Sequence, residues 1–256
     1  MRRLFAIFLI VLTLPLAGQA GTAEERPVLQ LVGNVWPPYV SDKLPGYGIA
    51  VELVVTALKR AGYEVSGSFQ PWSRALEGGR LGVYDVIVAA WRTPDRERDL
   101  HFSRPYLTSR ILFVKRSGAP IEFHTLDDLR GLVIGVVQDY AYGGGLDRAE
   151  GLVKVPARTA VQNLLKLRQG QIDLTLGDEW ALMYQVAEHM PHAASEFEFL
   201  PHALAERGIH IAVSRANSMH DRIVADFDAA IAAMKADGSY EKIIEKHERL
   251  LPRLGD

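Results

Sequence analysis

The chain has 256 residues, of which 48% are hydrophobic and 23% charged, and its formal net charge at pH 7 is −2. Acidic and basic residues are well mixed, which gives no basic surface for nucleic acid, and we expect no nucleic-acid partner. The sequence contains no cysteine, which excludes disulfides, thiolate metal sites, thiol nucleophiles and a lipid-attachment cysteine.

The N-terminus has the residue order of an export signal. Arg2 and Arg3 precede an apolar run at residues 4–17, and small residues follow up to Ala23. The apolar run is shorter than the about 20 residues that span a bilayer. We therefore predict a cleaved signal peptide at residues 1–20, with cleavage after Ala23 as the second choice, and not a retained membrane anchor. The predicted location is the periplasm, without lipidation.

Short β-type runs alternate with amphipathic helical segments along the rest of the chain. This order is typical of a mostly parallel sheet covered by helices. Strands are predicted at residues 28–32, 83–89, 111–114, 133–137, 172–176 and 209–213. Helices are predicted at residues 51–60, 158–169 and 219–234, where apolar residues recur on one helical face.

A short polar motif follows the strand at residues 83–89. Thr93-Pro94-Asp95 has the residue types of a helix start, because Thr caps free amides, Pro suits the first helical position and Asp suits the positive end of the dipole. Arg96 would then lie in the first turn. A guanidinium beside unpaired helix-end amides, at the carboxyl edge of a sheet, can bind a carboxylate. The alternative is a surface arginine within a charged run.

Aromatic residues are frequent in the loops that follow predicted strands. Such rings can sandwich an organic ligand or hold a cation, and the alternative is packing between parts of the protein. The set consists of Trp36, Tyr39, Trp72, Trp91, Tyr140 and Tyr142.

Asp178 lies five residues after Asp173 in the stretch GQIDLTLGDE. A carboxylate at this place can pair with an ammonium group that is otherwise costly to bury. The alternative role is the N-cap of a helix that starts at residue 179. The two roles are compatible.

These motifs occur in the order found in one protein family. The chain resembles the periplasmic solute-binding proteins of ABC importers, of the polar amino-acid type (family 3). The resemblance covers nearly all of the predicted mature chain. It depends on WPPY at 36–39, WSRA at 72–75, TPDR at 93–96, FSRPY at 102–106, LDDLRG at 126–131, GQID at 170–173 and DGSY at 237–240.

The resemblance implies an α/β fold with two lobes, the type II periplasmic-binding-protein fold, in which each lobe is a mostly parallel sheet flanked by helices. Two hinge crossings would join the lobes. Lobe 1 would comprise residues 24–107 and 209–256, and lobe 2 residues 108–208. The implied function is a monomeric receptor, without a cofactor, that closes on an amino acid or a related carboxylate. The closed form would deliver this ligand to an inner-membrane ABC permease.

The resemblance also implies roles for single residues. Trp36 aligns with the aromatic residue that stacks on the ligand, and Asp178 aligns with the acidic residue that receives the ligand's α-ammonium group. Arg96 would hold the α-carboxylate. The predicted ligand-binding residues are Trp36, Tyr39, Trp72, Arg74, Trp91, Arg96, Tyr140 and Asp178. No catalytic residue and no metal ligand is predicted, since His189 and His192 are merely three residues apart.

Two segments depart from the family pattern and leave the ligand open. Residues 89–92, Ala-Ala-Trp-Arg, stand where small hydroxyl residues are usual, and residues 138–142 lack the usual Gly-Thr-Thr type loop. Arg74 and Arg92 as additional cations in the site would favour an acidic, neutral or aromatic ligand over a basic one. A surface position of either arginine would cancel that argument.

Two further function classes exist on the same fold. One is a periplasmic cyclohexadienyl or arogenate dehydratase-like lyase, which needs a carboxylic acid in the pocket as proton donor, a role for Glu179 or Glu52. The other is the sensor lobe of a kinase or of a cell-wall lyase, which would require a second module in addition to these 256 residues.

Export processing is directly testable. We expect the mature N-terminus to lie between Gly21 and Glu24, because the Arg-Arg, apolar and small-residue segments follow each other in the order that signal peptidase recognises. Intact-mass analysis of protein from the periplasmic fraction measures this position. A mass that still includes residues 4–17 would contradict the prediction.

Overall fold

The computed structural model of the protein describes residues 28–251. The predicted signal peptide, residues 1–20, lies outside the described residues. The strands are β1 Val28–Gly33, β2 Glu64–Phe69, β3 Val86–Trp91, β4 Leu100–Phe102, β5 Leu107–Arg116, β6 Val133–Val137, β7 Val153–Ala157, β8 Leu174–Asp178, β9 Phe197–Phe199 and β10 Ala205–Ser214. The α-helices are α1 Ile49–Arg60, α2 Trp72–Arg80, α3 Ala160–Arg168, α4 Glu179–His189, α5 His220–Ala236 and α6 Ser239–Glu248.

The ten strands within the described range form one mixed sheet. Its main path is β2-β1-β3-β10-β5-β8-β6-β7, with β4 paired to β10 and β9 paired to β5. Strand β1 is parallel to β2 and β3, and β6 is parallel to β7 and β8. The sheet therefore has a group of parallel strands at each end. Helices α1, α2 and α3 connect β1 to β2, β2 to β3 and β7 to β8, whereas a loop with one 3-10 turn at Leu146–Arg148 connects β6 to β7.

Two long antiparallel strands, β5 and β10, join these groups. Residues Leu107–Ile111 of β5 pair with Ala205–Ile209 of β10. Beyond Ile111, β5 pairs with β8, and beyond Ile209, β10 pairs with β3. We refer to residues 108–208 as the middle segment, and to residues 28–107 and 209–251 as the outer segments.

Helices α1 and α5 pack against each other and cover the sheet of the outer segments. Leu53 of α1 and Phe227 of α5 are fully buried, because their apolar positions recur on the helix face that meets the sheet. Tyr106 fixes the start of β5. The Tyr106 hydroxyl donates to the Val88 carbonyl at 2.9 Å, and the Tyr106 carbonyl accepts from the Tyr240 hydroxyl at 2.6 Å.

The structure confirms the alternation of strands and helices and corrects several element bounds. The strand predicted at residues 133–137 matches β6. The strand predicted at residues 172–176 ends at Asp178 instead. The sequence pattern does not predict the edge strand β2, because its residues are mostly exposed and include serine and glycine.

The helix predicted to begin at Thr93 is wrong. Residues Arg96–Arg98 form a single 3-10 turn, and the chain enters β4 at Leu100. The Thr93 hydroxyl oxygen does accept from the Arg96 amide, at 3.2 Å. The capping residue is therefore present, but pairing of β4 with β10 ends the helix after one turn. Among the described residues, no helix has both the length and the apolar character needed to cross a bilayer.

Candidate ligand-binding site

The predicted site residues meet at the carboxyl ends of parallel strands. Asn34 and Trp36 follow β1, Trp91 ends β3, Tyr140 follows β6 and Asp178 ends β8. Ligands of open α/β sheets bind in the crevice outside this edge. Since β1 and β3 belong to the outer segments and β6 and β8 to the middle segment, both parts of the chain form the site.

Most of the predicted aromatic side chains form one continuous cluster. The centroid of the Trp36 ring lies 4.5 Å from that of Tyr39 and 5.5 Å from that of Trp91. The Trp91 and Tyr140 rings meet edge to face at 5.4 Å, and the Trp72 and Tyr140 rings do so at 6.2 Å. Edge-to-face contacts at these distances are favourable, so the rings form a defined wall that spans the outer and middle segments.

Arg96 is buried against this wall. Its guanidinium carbon lies 4.7 Å from the centroid of the Trp72 ring, within the range of a cation–π contact. Arg96 Nη1 donates to the Trp91 carbonyl at 2.7 Å, and Nη2 donates to the Asp139 carbonyl at 2.8 Å. Trp72 Nε1 donates to the same Asp139 carbonyl at 3.1 Å. One carbonyl of the middle segment therefore receives two donors from the outer segments.

The surroundings of Arg96 differ from the prediction of helix-end amides, because backbone carbonyls hold the guanidinium. Asp139 presents one of these carbonyls from a backbone conformation with φ 62°, a left-handed geometry that is uncommon outside glycine, although aspartate tolerates it better than most residues. Burial lowers the pKa of Arg96 to about 10, with repulsion from Arg207 and Arg80 adding to the effect. The side chain stays a cation at neutral pH.

Asp178 is buried and accepts three hydrogen bonds. Its Oδ1 accepts from the Ala181 amide at 2.9 Å and so caps α4, while Oδ2 accepts from the Ser109 hydroxyl at 2.7 Å and the Tyr39 hydroxyl at 3.0 Å. Burial raises the pKa of Asp178 to about 6, although these three hydrogen bonds favour the charged form. Since a carboxylate has about four acceptor positions, one remains available to a further donor.

A small pocket lies among these side chains. Its walls are Asn34, Trp36, Trp72, Ala89, Ala90, Trp91, Arg96 and Tyr140. A wider pocket next to it shares the walls Asn34, Trp36, Trp72 and Tyr140 and reaches Asp178. The two adjoining pockets thus have a buried cation in the wall of one and a buried carboxyl group in the wall of the other.

Trp91, one of the wall residues, has an unused hydrogen-bond donor in its indole nitrogen. Trp91 Nε1 is buried and has no hydrogen-bond partner among residues 28–251. Leaving a buried donor unpaired costs about 1–3 kcal/mol. An acceptor atom of a bound molecule at this position would remove that cost.

The structure does not bring Arg74 into the cavity. Arg74 is exposed on α2, and residues two positions apart on a helix do not share a face, so Trp72 and Arg74 point in different directions. Arg92 is also exposed, and its Nε donates to Glu97 Oε1 at 2.7 Å. The sequence-based argument against a basic ligand therefore no longer holds.

Both candidates for the proton donor of the dehydratase alternative, Glu52 and Glu179, are engaged in ion pairs. Glu52 accepts from Lys246 Nζ and His247 Nε2, each at 2.8 Å, where α1 meets α6. Although burial opposes the shift, these two hydrogen bonds lower the pKa of Glu52. Glu179 lies 3.2 Å from Arg110 Nη1. A general acid at neutral pH needs a raised pKa, and the shift of Glu52 is in the opposite direction.

Three residues of the site lie outside the predicted set. Asn34 Nδ2 donates to the Tyr140 hydroxyl at 3.4 Å, the Trp180 ring stacks near the Tyr39 ring at 6.3 Å, and Ser109 contacts Asp178. The strand-end argument that selects Trp36 also applies to Asn34, and Trp180 is close to Asp178 in sequence. No sequence signal marks Ser109, which lies within β5.

Comparison with known proteins identifies the family of the chain. The sequence model of the bacterial extracellular solute-binding proteins, family 3, matches residues 32–249. The chain is similar to ABC transporter arginine-binding protein 1 of Escherichia coli K12, with 24% identity over 223 residues, 84% of this chain and 88% of that protein. It is also similar to the L-cystine-binding protein TcyJ of the same strain, with 29% identity over 241 residues, 90% of this chain and 85% of that protein.

Among solved structures, the fold is similar to that of a histidine kinase sensor domain with similarity to periplasmic binding proteins. The TM-score is 0.77 at 22% identity, and the match covers 87% of this chain and 96% of that chain. This likeness confirms the predicted fold, and the relatives give the dehydratase alternative no support. The family match extends over most of the chain and confirms the resemblance inferred from the motifs. The chain belongs to the bacterial extracellular solute-binding proteins, family 3.

Proposed function

We propose that the protein is a periplasmic receptor that binds an amino acid or amino-acid-like molecule between two closing lobes and delivers it to an inner-membrane ABC permease. The observation that carries this proposal is a pair of adjoining pockets, one lined by the buried cation Arg96 and the other by the buried carboxyl group of Asp178, with shared aromatic walls. A zwitterion has the complementary charges. Relatives named as arginine-binding and L-cystine-binding proteins support an amino-acid ligand.

In this proposal the ligand's α-carboxylate binds Arg96 and its α-ammonium group binds Asp178. The guanidinium has five N–H donors, of which the two carbonyls of Trp91 and Asp139 use two, so the carboxylate binds the others. A charged acceptor forms a stronger hydrogen bond than a neutral one. The ammonium group uses the remaining acceptor position of Asp178. Trp91 Nε1 donates to the ligand, and Trp36, Tyr39, Trp72 and Tyr140 enclose its apolar part.

We infer that lobe 1 is residues 24–107 and 209–256 and that lobe 2 is residues 108–208. The change of strand partners at Leu107–Ile111 and Ala205–Ile209 supports hinges at these places. The hydrogen bonds from Arg96 and Trp72 to Asp139 would then cross the cleft, as would the ion pair between Lys43 and Glu188, at 3.2 Å. These contacts are made only when the lobes meet.

The remaining features fit a transport receptor. The family and the two relatives are binding proteins, and the carboxyl groups suited to a dehydratase are held in ion pairs. We therefore propose that the protein is not an enzyme. The N-terminal export pattern and the lack of cysteine support a free periplasmic protein, and a single chain supplies both ends of the cleft, as expected of a monomer.

Lobe closure predicts a more compact protein in the presence of ligand, because the contacts across the cleft form only in the closed arrangement. Small-angle scattering of ligand-stripped protein should show a smaller radius of gyration at saturating ligand. Arg96→Ala at the same ligand concentration should show less contraction. An unchanged radius for the wild-type protein at saturation would contradict the hinge proposal.

The raised pKa of Asp178 predicts a pH-dependent affinity. Only the charged carboxylate pairs with an ammonium group, and in the ligand-free closed arrangement this carboxyl group has a pKa of about 6. Affinity is therefore complete at pH values above this pKa and should fall by up to about tenfold per pH unit below it, since each ligand bound must displace one proton. Calorimetry at a series of pH values above and below about 6 measures how the affinity changes with pH.

The matched variant for this test is Asp178→Asn, which retains a side-chain oxygen for the α4 cap but cannot titrate. It should bind an amino acid more weakly and show no such slope. A carboxylate without an amine should show no loss of affinity for the wild-type protein as the pH falls. An identical slope in wild type and Asp178→Asn would assign the pH dependence to another group.

Truncation of either charged residue tests the clamp itself. Arg96→Ala or Asp178→Ala leaves one ligand charge desolvated and unpaired, which costs on the order of 2–5 kcal/mol. This corresponds to roughly thirtyfold or more in affinity. A thermal-shift screen of amino acids and small carboxylates, starting with arginine and cystine, identifies the ligand, and calorimetry then measures the loss.

The controls for the clamp are Arg98→Ala and Asp127→Ala, which remove the same charges from exposed positions. Both should bind like the wild type. Near wild-type affinity in Arg96→Ala would show that the carboxylate anchor is misplaced. Normal amino-acid binding by Asp178→Ala alone would indicate a carboxylate receptor without amine recognition.

A further inference from the structure

A cluster of metal-ligating side chains lies on the outer segments, apart from the ligand cavity. His101 is in β4, and His220 and Asp221 are the first two residues of α5. The Nδ1 atoms of the two histidines are 3.2 Å apart, and they lie 2.7 Å and 2.9 Å from Asp221 Oδ1. The imidazoles are half-buried and the carboxylate is exposed. Three potential ligand atoms therefore converge at the surface.

The distances resemble those between ligands of one metal ion. At metal–ligand bond lengths of about 2.0–2.2 Å, neighbouring ligand atoms are about 3.4 Å apart in a tetrahedral site and about 3.0 Å apart in an octahedral one. The observed distances, 2.7 to 3.2 Å, are close to one face of an octahedron. Asp221 is exposed, so its carboxylate can move by the roughly half an ångström or more that a tetrahedral site requires.

The donor set indicates the class of ion. Two imidazole nitrogens and one carboxylate oxygen suit first-row transition metals such as Zn²⁺, Ni²⁺ and Cu²⁺, whereas Mg²⁺ and Ca²⁺ prefer oxygen ligands alone. The start of a helix disfavours a cation, but the negative charge of Asp221 at this position offsets the helix dipole. Water can occupy the coordination positions that face the solvent.

We propose that His101, His220 and Asp221 bind one transition-metal ion of the Zn²⁺ class, which fixes β4 to the start of α5. The competing arrangement without a metal has both Nδ1–H groups donating to Asp221 Oδ1. With a metal bound, each histidine Nδ1 directs a lone pair at the ion. Without a metal, each Nδ1 carries a proton that it donates to Asp221 Oδ1. They therefore predict different responses to added metal.

The test uses mature protein without a polyhistidine tag, stripped with a chelator. Zn²⁺ added in molar excess should bind with a stoichiometry of one in calorimetry and raise the melting temperature in a concentration-dependent way, because an ion that binds only the folded state stabilises it. Mg²⁺ should do neither. X-ray absorption at the zinc edge should show two imidazole ligands.

His101→Ala/His220→Ala should lose this binding. Loss of even an outer-shell partner typically weakens metal affinity by about 10–100-fold, so loss of two direct ligands should weaken it at least as much. The matched control is His124→Ala/His202→Ala, which removes another close pair of histidine rings, with centroids 4.9 Å apart, outside this cluster. It should bind Zn²⁺ like the wild type.

Melting in the presence of chelator verifies that both double variants are folded. If the alanine variant is unfolded, the double variant His101→Gln/Asp221→Asn removes two metal ligands with smaller changes in side-chain size. Equal Zn²⁺ affinity in wild type and His101→Ala/His220→Ala would overturn the proposal. So would the absence of a melting shift in the wild type, or loss of binding in the His124→Ala/His202→Ala control.

Discussion

The burial of the Arg96 guanidinium is the constraint on which the arrangement of the cleft depends. A buried cation is tolerated only when acceptors surround it, and Arg96 receives one carbonyl from its own segment, at Trp91, and one from the middle segment, at Asp139. The second acceptor ties closure of the cleft to the solvation of a charge. Opening the cleft removes Asp139, and water or a ligand carboxylate must then take its place. The energy of closure therefore depends directly on what binds Arg96.

The aromatic wall determines how strongly these charges act. Trp36, Trp72, Trp91 and Tyr140 line the space next to Arg96, and electrostatic interactions are stronger in apolar surroundings than in water. The same burial raises the pKa of Asp178 to about 6, so the site has one permanent charge and one that depends on pH. A few polar contacts are then enough to bind a ligand, because each of these contacts is stronger in a largely apolar pocket than in water.

Sequence patterns predict the parts of the site that are local in the chain. The strand-end positions of Trp36, Trp91 and Asp178 follow from apolar runs that end next to them. The second acceptor of Arg96 does not, because the Asp139 carbonyl is 43 residues away and lies in the other segment. Arg74 shows the limit of motif reasoning, since its motif opens α2, but the turn of the helix directs the side chain to solvent.

Strand β10 relates the cleft to the proposed metal cluster. Its first half, Ala205–Ile209, pairs with β5 at the proposed hinge, and its last residues, 212–214, pair with β4 next to His101. An ion that fixes β4 to α5 would hold only elements of the proposed lobe 1. A ligand shifts a conformational equilibrium only through different affinities for the two states. If the proposed lobes close as rigid bodies, the metal contacts would be the same in the open and closed forms, so metal binding would stabilise the fold and leave the affinity for the solute unchanged.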